Sequence, residues 1–475
     1  MKILLHSDEK RGEELPRLGL GYLMSYVNKH RQDVIFDLLF LKEDSIQKVK
    51  EFKPNIIGFT SATFTNNKIV HIAIGVKENF PSIPLILGGI HITLFPGSLP
   101  ECFDVGVIGE GEETFLELIK KYAENRTLMD TSIKGIVFRD KGNLIDTGHR
   151  EAISPIDLIP PPDLKAMYVG KKGPKHIMTS RGCPYRCRFC CSANIWGRPR
   201  FHSAQYVVNE FERLLRVYKR DWIMVYDDLF TMDKGRIEKI ADLMVARNLA
   251  NKATIEIITH ADYLNDDVIK NLKRIGIKRI SIGMESGSQK VLDYLKNGVL
   301  SLDKIRKAVA LCKKYDIDAM GSFMVGSPYE TEEDIRMTIN FIKELKLDQF
   351  GLCVTTPFPM TELWEYAKSK RIIQNDEWDD RLWGFHDVNE ENINDKIILA
   401  DMDKNQFYKL YMELKSLELV TVWRWELKNW MKMPWRIDLL FRHIKGRIKP
   451  YKKRLKRKVR SIFKLLRSIE GPSQK

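Results

Sequence analysis

The sequence predicts an α/β protein: two successive parallel-sheet units, then a helical and strongly basic C-terminal region. Three observations predict it. Short apolar, β-branched runs alternate with amphipathic stretches from residue 1 to about 360, and strands that read as continuous apolar runs belong to parallel sheets covered on both faces. The alternation is interrupted at Ile159-Pro160-Pro161-Pro162-Asp163, because three successive prolines fit neither a helix interior nor a central strand. The charge is also lopsided. Of 78 Lys and Arg and 63 Asp and Glu, residues 421–475 hold 18 and 3, which leaves the remainder balanced at 60 each.

In the first unit, residues 1–150, candidate strands are Lys2–His6, Val34–Phe40, Asn55–Ser61, Pro84–Gly88 and Asp104–Ile108. Candidate helices between them are Leu18–His30, Asp44–Phe52, Asn66–Phe80 and Glu112–Asn125, and a hairpin follows at Ile133–Asp140 and Asn143–Thr147. Right-handed crossovers make this a Rossmann-like doubly wound domain. Residues 151–172 form the Pro-rich linker. From 173 to 370 six strands are expected: His176–Ser180, Trp222–Tyr226, Thr254–Thr259, Arg279–Gly283, Ala319–Val325 and Phe350–Thr355, separated by helices such as Ala204–Tyr218, Asp267–Ile275 and Glu332–Leu345. Six β/α units make a partial (β/α)6 TIM-like barrel, with its chemistry at the C-terminal strand ends. Residues 371–475 form the helical region with the basic tail.

With 44% apolar and 30% charged residues the composition is that of a globular protein. No run of 18 apolar residues predicts a membrane span, and the charged start MKILLHSDEKRGEEL does not resemble a signal peptide. The expected location is the cytoplasm. Seven cysteines are present, four of them between 183 and 191. A disulfide framework would spread them, whereas crowding points to metal binding or redox chemistry.

The crowded segment runs Thr179-Ser180-Arg181-Gly182-Cys183-Pro184-Tyr185-Arg186-Cys187-Arg188-Phe189-Cys190, a C-x3-C-x2-C spacing just after the first strand of the second unit. Three thiolates on one loop can bind three irons of a [4Fe–4S] cube and leave the fourth open to a non-protein ligand. Arg181, Arg186 and Arg188 would offset the negative charge. A zinc site would want a fourth protein ligand, from Cys191 or a distant His; a chance cluster of buried thiols is the plainest alternative. Cys191 breaks the spacing and reads as a spare thiol.

This motif, with Phe189 before the last cysteine, resembles the signature of the radical S-adenosylmethionine superfamily. The resemblance implies that Cys183, Cys187 and Cys190 hold the cluster. The methionyl amine and carboxylate of the cofactor would then bind the open iron, and reduction would release a 5′-deoxyadenosyl radical. Three further strand ends fit the family in order. Val225-Tyr226-Asp227-Asp228 offers Asp227 and Asp228 to the methionyl ammonium, or as helix caps. Ile282-Gly283-Met284-Glu285 resembles the segment whose glutamate meets the ribose, which makes Glu285 the candidate, with a surface turn as the alternative. Gly321 to Thr331, including Gly326, resembles the adenine-contacting segment, where backbone groups do the reading.

In the first unit Gly88-Gly89-Ile90-His91-Ile92-Thr93 and Gly109-Glu110-Gly111-Glu112 follow strands. Gly88, Gly89, Gly109 and Gly111 would let a large ligand approach the backbone. A G-x-G-x-x-G fingerprint is missing, which counts against NAD. The order P-x-I-I-G-F-T, G-G-I-H-x-T, G-E-G-E-x-T resembles the cobalamin-binding domain fused before the radical domain in a large subfamily. The D-x-H-x-x-G motif whose histidine ligates cobalt in methionine-synthase-type domains does not occur, and His91 is not assigned to cobalt. A domain that merely scaffolds the barrel is the alternative.

The resemblance implies a cobalamin-dependent radical methyltransferase acting on an unactivated carbon, with an oxidoreductase or cyclase of the same architecture as the other reading. An external electron donor such as a flavodoxin or ferredoxin is expected. In the tail, Trp423, Trp425, Trp430 and Trp435 alternate with basic residues, and Lys445 to Arg467 is a basic amphipathic stretch. Those ingredients suit an anionic membrane surface, RNA or a simply solvated helix. The expectation is peripheral contact with the inner membrane face and a small-molecule or lipid-like substrate. A nucleic-acid-binding metalloprotein would leave the strand-end motifs without a purpose, so nucleic acid is not expected.

Overall fold

The computed structural model describes residues 1–10, 17–168, 175–374, 378 and 388–432. The first sheet contains β1 (Lys2–Lys10), β2 (Ile35–Leu41), β3 (Ile56–Thr60), β4 (Leu85–Gly88), β5 (Val105–Val107), β6 (Ile136–Asp140) and β7 (Asn143–Asp146). Its order is β2-β1-β3-β4-β5-β6-β7. The first five strands are parallel and the last two antiparallel. The order 2-1-3-4-5 is the flavodoxin-like form of the doubly wound fold, with its ligand crevice outside the carboxyl ends of β1 and β3. Alternation along β1 divides the core: Ile3 and Leu5 join one buried cluster and Leu4 the other, as a two-faced central strand requires.

The second sheet runs β15-β14-β13-β12-β11-β8. Its strands are β8 (His176–Ile177), β11 (Trp222–Val225), β12 (Thr254–Thr259), β13 (Ile277–Glu285), β14 (Asp318–Val325) and β15 (Gln349–Val354). All neighbours are parallel. Each crossover therefore leads to the adjacent strand, and all six C-terminal ends gather at one rim. A two-stranded ribbon, β9 (Ser180–Arg181) and β10 (Arg200–Phe201), lies at that rim and brackets the cysteine loop.

The Pro-rich stretch differs from the loose linker its composition suggests. Ile153, Ile156, Ile159, Leu164 and Met167 are buried in the same core cluster as Leu20 and Tyr22. The Asp163 amide donates to the Gly21 carbonyl at 3.0 Å. A Cβ on Gly21 would lie 3.1 Å from Pro162 and 3.2 Å from Met167, so a small residue there lets the stretch lie against the helix Leu18–His30. The two units thus share one continuous apolar core.

The C-terminal helix, Lys404–Lys432, also departs from expectation. Its buried Phe407, Leu410, Tyr411 and Leu414 belong to the main core. Farther along, the Trp425 indole donates to Asp318 at 2.7 Å, and the Lys428 ammonium reaches Asp318 and Asp348, each at 3.1 Å. The Arg279 guanidinium lies 4.3 Å from the Trp425 ring centroid and 4.9 Å from that of Trp222. Trp425 and Lys428 therefore cap the N-terminal rim of the barrel rather than stand free for a lipid surface. Among the described residues no helix is long and apolar enough to cross a membrane. Trp435 and Lys445 to Arg467 lie outside the described residues, as do the side chains of Trp430 and Lys432.

Phe407 is fully buried and would lie 3.2 Å from a Cβ on Gly326, so it supports the rim from below. Phe407→Ala is expected to lower stability by about 3–5 kcal/mol through the cavity it leaves, read as a drop in the urea midpoint at constant slope.

Candidate functional site

The cysteine loop leaves β9 through Gly182 and is held at several points along its length. The Arg188 amide donates to the Leu295 carbonyl at 2.9 Å, and the Leu363 amide donates to the Arg188 carbonyl at 3.1 Å. The Asn297 side-chain amide donates to the Arg186 carbonyl at 2.6 Å, and the Cys190 amide donates to the Cys187 carbonyl at 3.0 Å, closing the turn between the last two cysteines. Cys183, Cys187 and Cys190 carry free thiols. Burial pushes the first two up; Cys190 still reaches solvent, and the protein packed around its sulfur pushes it up as well. Such crowded thiols become thiolates only with a bound cation, which deprotonates them outright. Among the described residues no three His, Cys, Asp or Glu side chains converge on a single-ion site. A cube takes one thiolate per iron, so its ligands need not converge on one point. Cys191 is likewise buried up to about 11 and begins the short helix Ser192–Trp196 as its cap residue.

Asp227 and Asp228 turn out to do different things. Asp227 is fully buried. One of its oxygens accepts from the amides of Thr179 (2.6 Å) and Ser180 (3.0 Å), and the other from their hydroxyls at 2.5 and 2.7 Å. Burial still pushes its carboxyl up, against the pull of nearby Arg236. With every acceptor position used, the expectation that Asp227 receives the methionyl ammonium does not hold; it pins the strand that leads into the cysteine loop. Asp228 accepts from the Ser192 hydroxyl at 2.5 Å, and its other oxygen takes no hydrogen bond from the described residues. It is reachable by solvent yet enclosed enough that burial raises its carboxyl, and it lies close enough to Cys183 and Cys190 to raise both thiols.

Glu285, at the end of β13, is buried and pairs with the buried ammonium of Lys296 at 2.9 Å. That ammonium lies 5.5 Å from the Phe189 ring centroid and draws the Cys187 thiol down against the larger effect of burial. A Cβ on Gly283 would meet the Glu285 carboxylate at 2.6 Å and the ammonium at 3.2 Å, so the glycine in the G-x-E step leaves room for the ion pair. Glu285 has φ 59°, and Tyr329 and Met360, beyond β14 and β15, have φ 61° and 60°. Non-glycine residues in this region store strain and cluster where function requires a fixed geometry. Lys296 was not legible in the sequence: a lysine ending an amphipathic helix, Gln289–Lys296, carries no signal of burial.

Gly326 has φ 84°, but it does not offer its backbone to a ligand. Its N–H donates to Glu330 at 2.6 Å and its carbonyl accepts from Leu399 at 3.2 Å. The Ser327 amide also donates to the same Glu330 oxygen, at 3.0 Å. Any backbone reading by this segment falls to other residues. Glu330 is fully buried, and burial pushes its carboxyl up to about 8.

In the first domain the four glycines stand at the crevice end of the sheet. Gly88 closes β4 with only the Phe59 carbonyl within 4 Å of a would-be Cβ. Gly89, at φ 103°, would place a Cβ 2.5 Å from the Ser61 carbonyl oxygen, so the turn between the β3 and β4 ends requires glycine. Gly109 and Gly111 flank Glu110 just past β5. Phe64 and Ile90, more than a third exposed, present apolar surface at the ends of β3 and β4, which suits a large, partly apolar ligand. His91 is buried against Phe95, and burial pushes it down to about 4.

The crevice of the first domain is tied directly to the cysteine loop. Arg181, two residues before Cys183, donates to Glu110 at 2.8 Å and to Glu112 at 2.6 Å. Its guanidinium lies 5.2 and 5.3 Å from the ring centroids of Tyr22 and Trp196. Arg200, paired with Arg181 across the ribbon, also holds Glu110. Phe95 meets Trp364 beyond β15 at 5.3 Å. In the sequence the G-E-G-E segment drew attention for its glycines; its glutamates carry the contact between domains, which only the fold reveals.

Three free cysteines on one anchored loop beside Asp228, tied through Arg181 to the strand-end glycines of a second sheet, suit an iron–sulfur enzyme that works with another bulky cofactor. The comparisons agree. Residues 177–342 match the radical SAM superfamily and residues 8–119 the B12 binding domain. A relative in Pyrococcus horikoshii, named as an uncharacterized methyltransferase, is 33% identical over 400 residues, 80% of this chain and 85% of its own length. An anaerobic magnesium-protoporphyrin IX monomethyl ester cyclase of Cereibacter sphaeroides is 28% identical over 360 residues, 73% of this chain and 58% of the cyclase. The fold is shared with the radical S-adenosylmethionine methyltransferase TsrM of Kitasatospora setae, solved with cobalamin and a [4Fe–4S] cluster: TM-score 0.66, 20% identity, 78% of each chain. The chain belongs to the radical S-adenosylmethionine superfamily, in the branch with an N-terminal cobalamin-binding domain. It is an enzyme, and its cofactors are a [4Fe–4S] cluster, S-adenosylmethionine and cobalamin.

Two outcomes check these roles. Asp227→Ala leaves four buried donors without their acceptor and is expected to cost about 3 kcal/mol or more, whereas Asp228→Ala loses one hydroxyl bond and costs about 1 kcal/mol; chemical denaturation of both variants measures the difference. Glu330 is neutral in the fold up to about pH 8 and ionises in the unfolded chain above about 4.5. Its contribution is therefore full below 4.5 and lost as pH rises toward 8. Glu330→Gln should flatten the unfolding free energy across that window.

Proposed function

We propose that this chain is a cobalamin-dependent radical methyltransferase that acts on an unactivated carbon of a small-molecule or lipid-like substrate. The observation that carries the reading is the Arg181 contact, which joins the start of the cluster loop to the crevice of the cobalamin domain. When bound, the cluster and S-adenosylmethionine supply radical initiation and cobalamin supplies a methyl carrier. The chain's own residues set up that chemistry. Cys183, Cys187 and Cys190 would hold the cluster. Asp228, with one free oxygen beside those thiols, receives the methionyl ammonium. Glu285, fixed by Lys296, presents its second oxygen to the ribose hydroxyls. An external electron-transfer protein supplies the reducing electron.

The likeness to a cyclase favours a second reading, ring formation without methyl transfer. Anaerobic reconstitution with both cofactors and a low-potential reductant distinguishes them by product mass: a gain of one methylene for methyl transfer, a loss of hydrogen for cyclisation. Failure of the pure protein to bind cobalamin would sink the methyl-transfer reading. Cys187→Ala is expected to abolish 5′-deoxyadenosine formation. Asp228→Ala should weaken cofactor affinity by about 10-fold or more, as expected for one charge-assisted bond, while iron content stays at the parent value; equilibrium dialysis and an iron assay read the two.

A further inference from the structure

The G-E-G-E segment supplies two glutamates that the cofactor roles above do not use. Glu112 is buried and Glu110 mostly enclosed, with side-chain exposures of 5% and 10%, and their four interdomain bonds converge on a two-stranded ribbon that opens into the cysteine loop. Arg181 forks between them at 2.8 and 2.6 Å. Arg200 reinforces Glu110 and donates to the Ile153 carbonyl at 2.9 Å, tying in the Pro-rich stretch. On the opposite side, Asp227 grips Thr179 and Ser180 through four hydrogen bonds. Thr179 to Arg181 is therefore fastened to the barrel by one carboxylate and to the first domain by two.

Buried ion pairs are poor sources of net stability, because desolvation offsets their attraction; their best-attested use is to fix registry. A guanidinium suits this role, since its planar fork spans two carboxylates in one geometry. We propose that Arg181, clamped by Glu110 and Glu112, is a positioning residue that sets the separation and orientation of the cluster loop relative to the cobalamin crevice, and so couples radical formation to methyl delivery. The proposal rests on the functional reading above. It concerns the protein scaffold, so the clamp can also be tested without either cofactor.

The test uses the full-length chain with Glu112→Gln and Arg181→Lys, and Asp242→Asn, which removes an exposed ion pair to Arg274, as the control. In the cofactor-free chain, amide hydrogen exchange across residues 109–114 and 179–182 should rise together in both clamp variants and stay at the parent level in the control. In the reconstituted chain, the dipolar coupling between the reduced cluster and cob(II)alamin should be narrow in the parent and broadened in both variants. Deoxyadenosine should still form, but methylated product per deoxyadenosine should fall by about 100-fold, the scale of a 1 Å misplacement. Glu112→Asp, which keeps the charge and shortens the reach, serves if Glu112→Gln does not fold. Parent-like exchange and parent-like spin coupling in the clamp variants would overturn the proposal. A parent that binds cobalamin but never methylates would overturn the functional reading instead, while exchange and spin coupling still decide the clamp.

Discussion

The structure depends on the way three residues, Thr179 to Arg181, are gripped from both sides. Asp227 occupies both its oxygens on Thr179 and Ser180, and Arg181 is locked between Glu110 and Glu112. A loop that must present three thiolates to a rigid inorganic cube cannot also be free to drift. The fold meets that demand by enclosing charged groups and satisfying them, Asp227 with neutral amide and hydroxyl donors and Arg181 with two carboxylates, which is the arrangement that makes such groups tolerable in an interior. The same grip ties the loop to the first domain through Arg181.

Much of this was legible in the sequence. Apolar strand runs and turn residues located the strands of both sheets to within a few residues, because β-branched runs buried on both faces leave few alternatives. The cysteine spacing singled out a loop that the fold sets at the C-terminal rim of the second sheet. What stayed hidden depended on long-range contact. Asp227 and Asp228 are identical neighbours in sequence, yet one turns inward to Thr179 and the other toward the thiols; only the pleat of a strand end and its surroundings separate them. Lys296 is buried because Glu285 is, and neither fact can be read without the other. Gly326 is required by the fold's own turn and by packing against Phe407, not by a ligand.

The aromatic and basic C-terminal segment carries a related lesson. Trp425 and Lys428 look, in isolation, like a lipid-facing pair. In the fold they meet Asp318, Asp348 and Arg279, and they close the barrel rim opposite the chemistry. For Trp425 and Lys428 the partner is the protein itself. The C-terminal rim, which carries Asp228, Glu285 and the cysteine loop, is left free of that packing.

The central claim is that three thiolates hold a [4Fe–4S] cluster whose remaining iron is open to S-adenosylmethionine. Electron–nuclear double resonance on the anaerobically reduced chain, with S-adenosylmethionine labelled with nitrogen-15 at its amine and oxygen-17 at its carboxylate, addresses it directly. The account predicts hyperfine coupling from both labels in the parent, and its loss when Cys187 is replaced by alanine. A reduced cluster with no coupling from either label, or a preparation that holds zinc in place of iron, would contradict it.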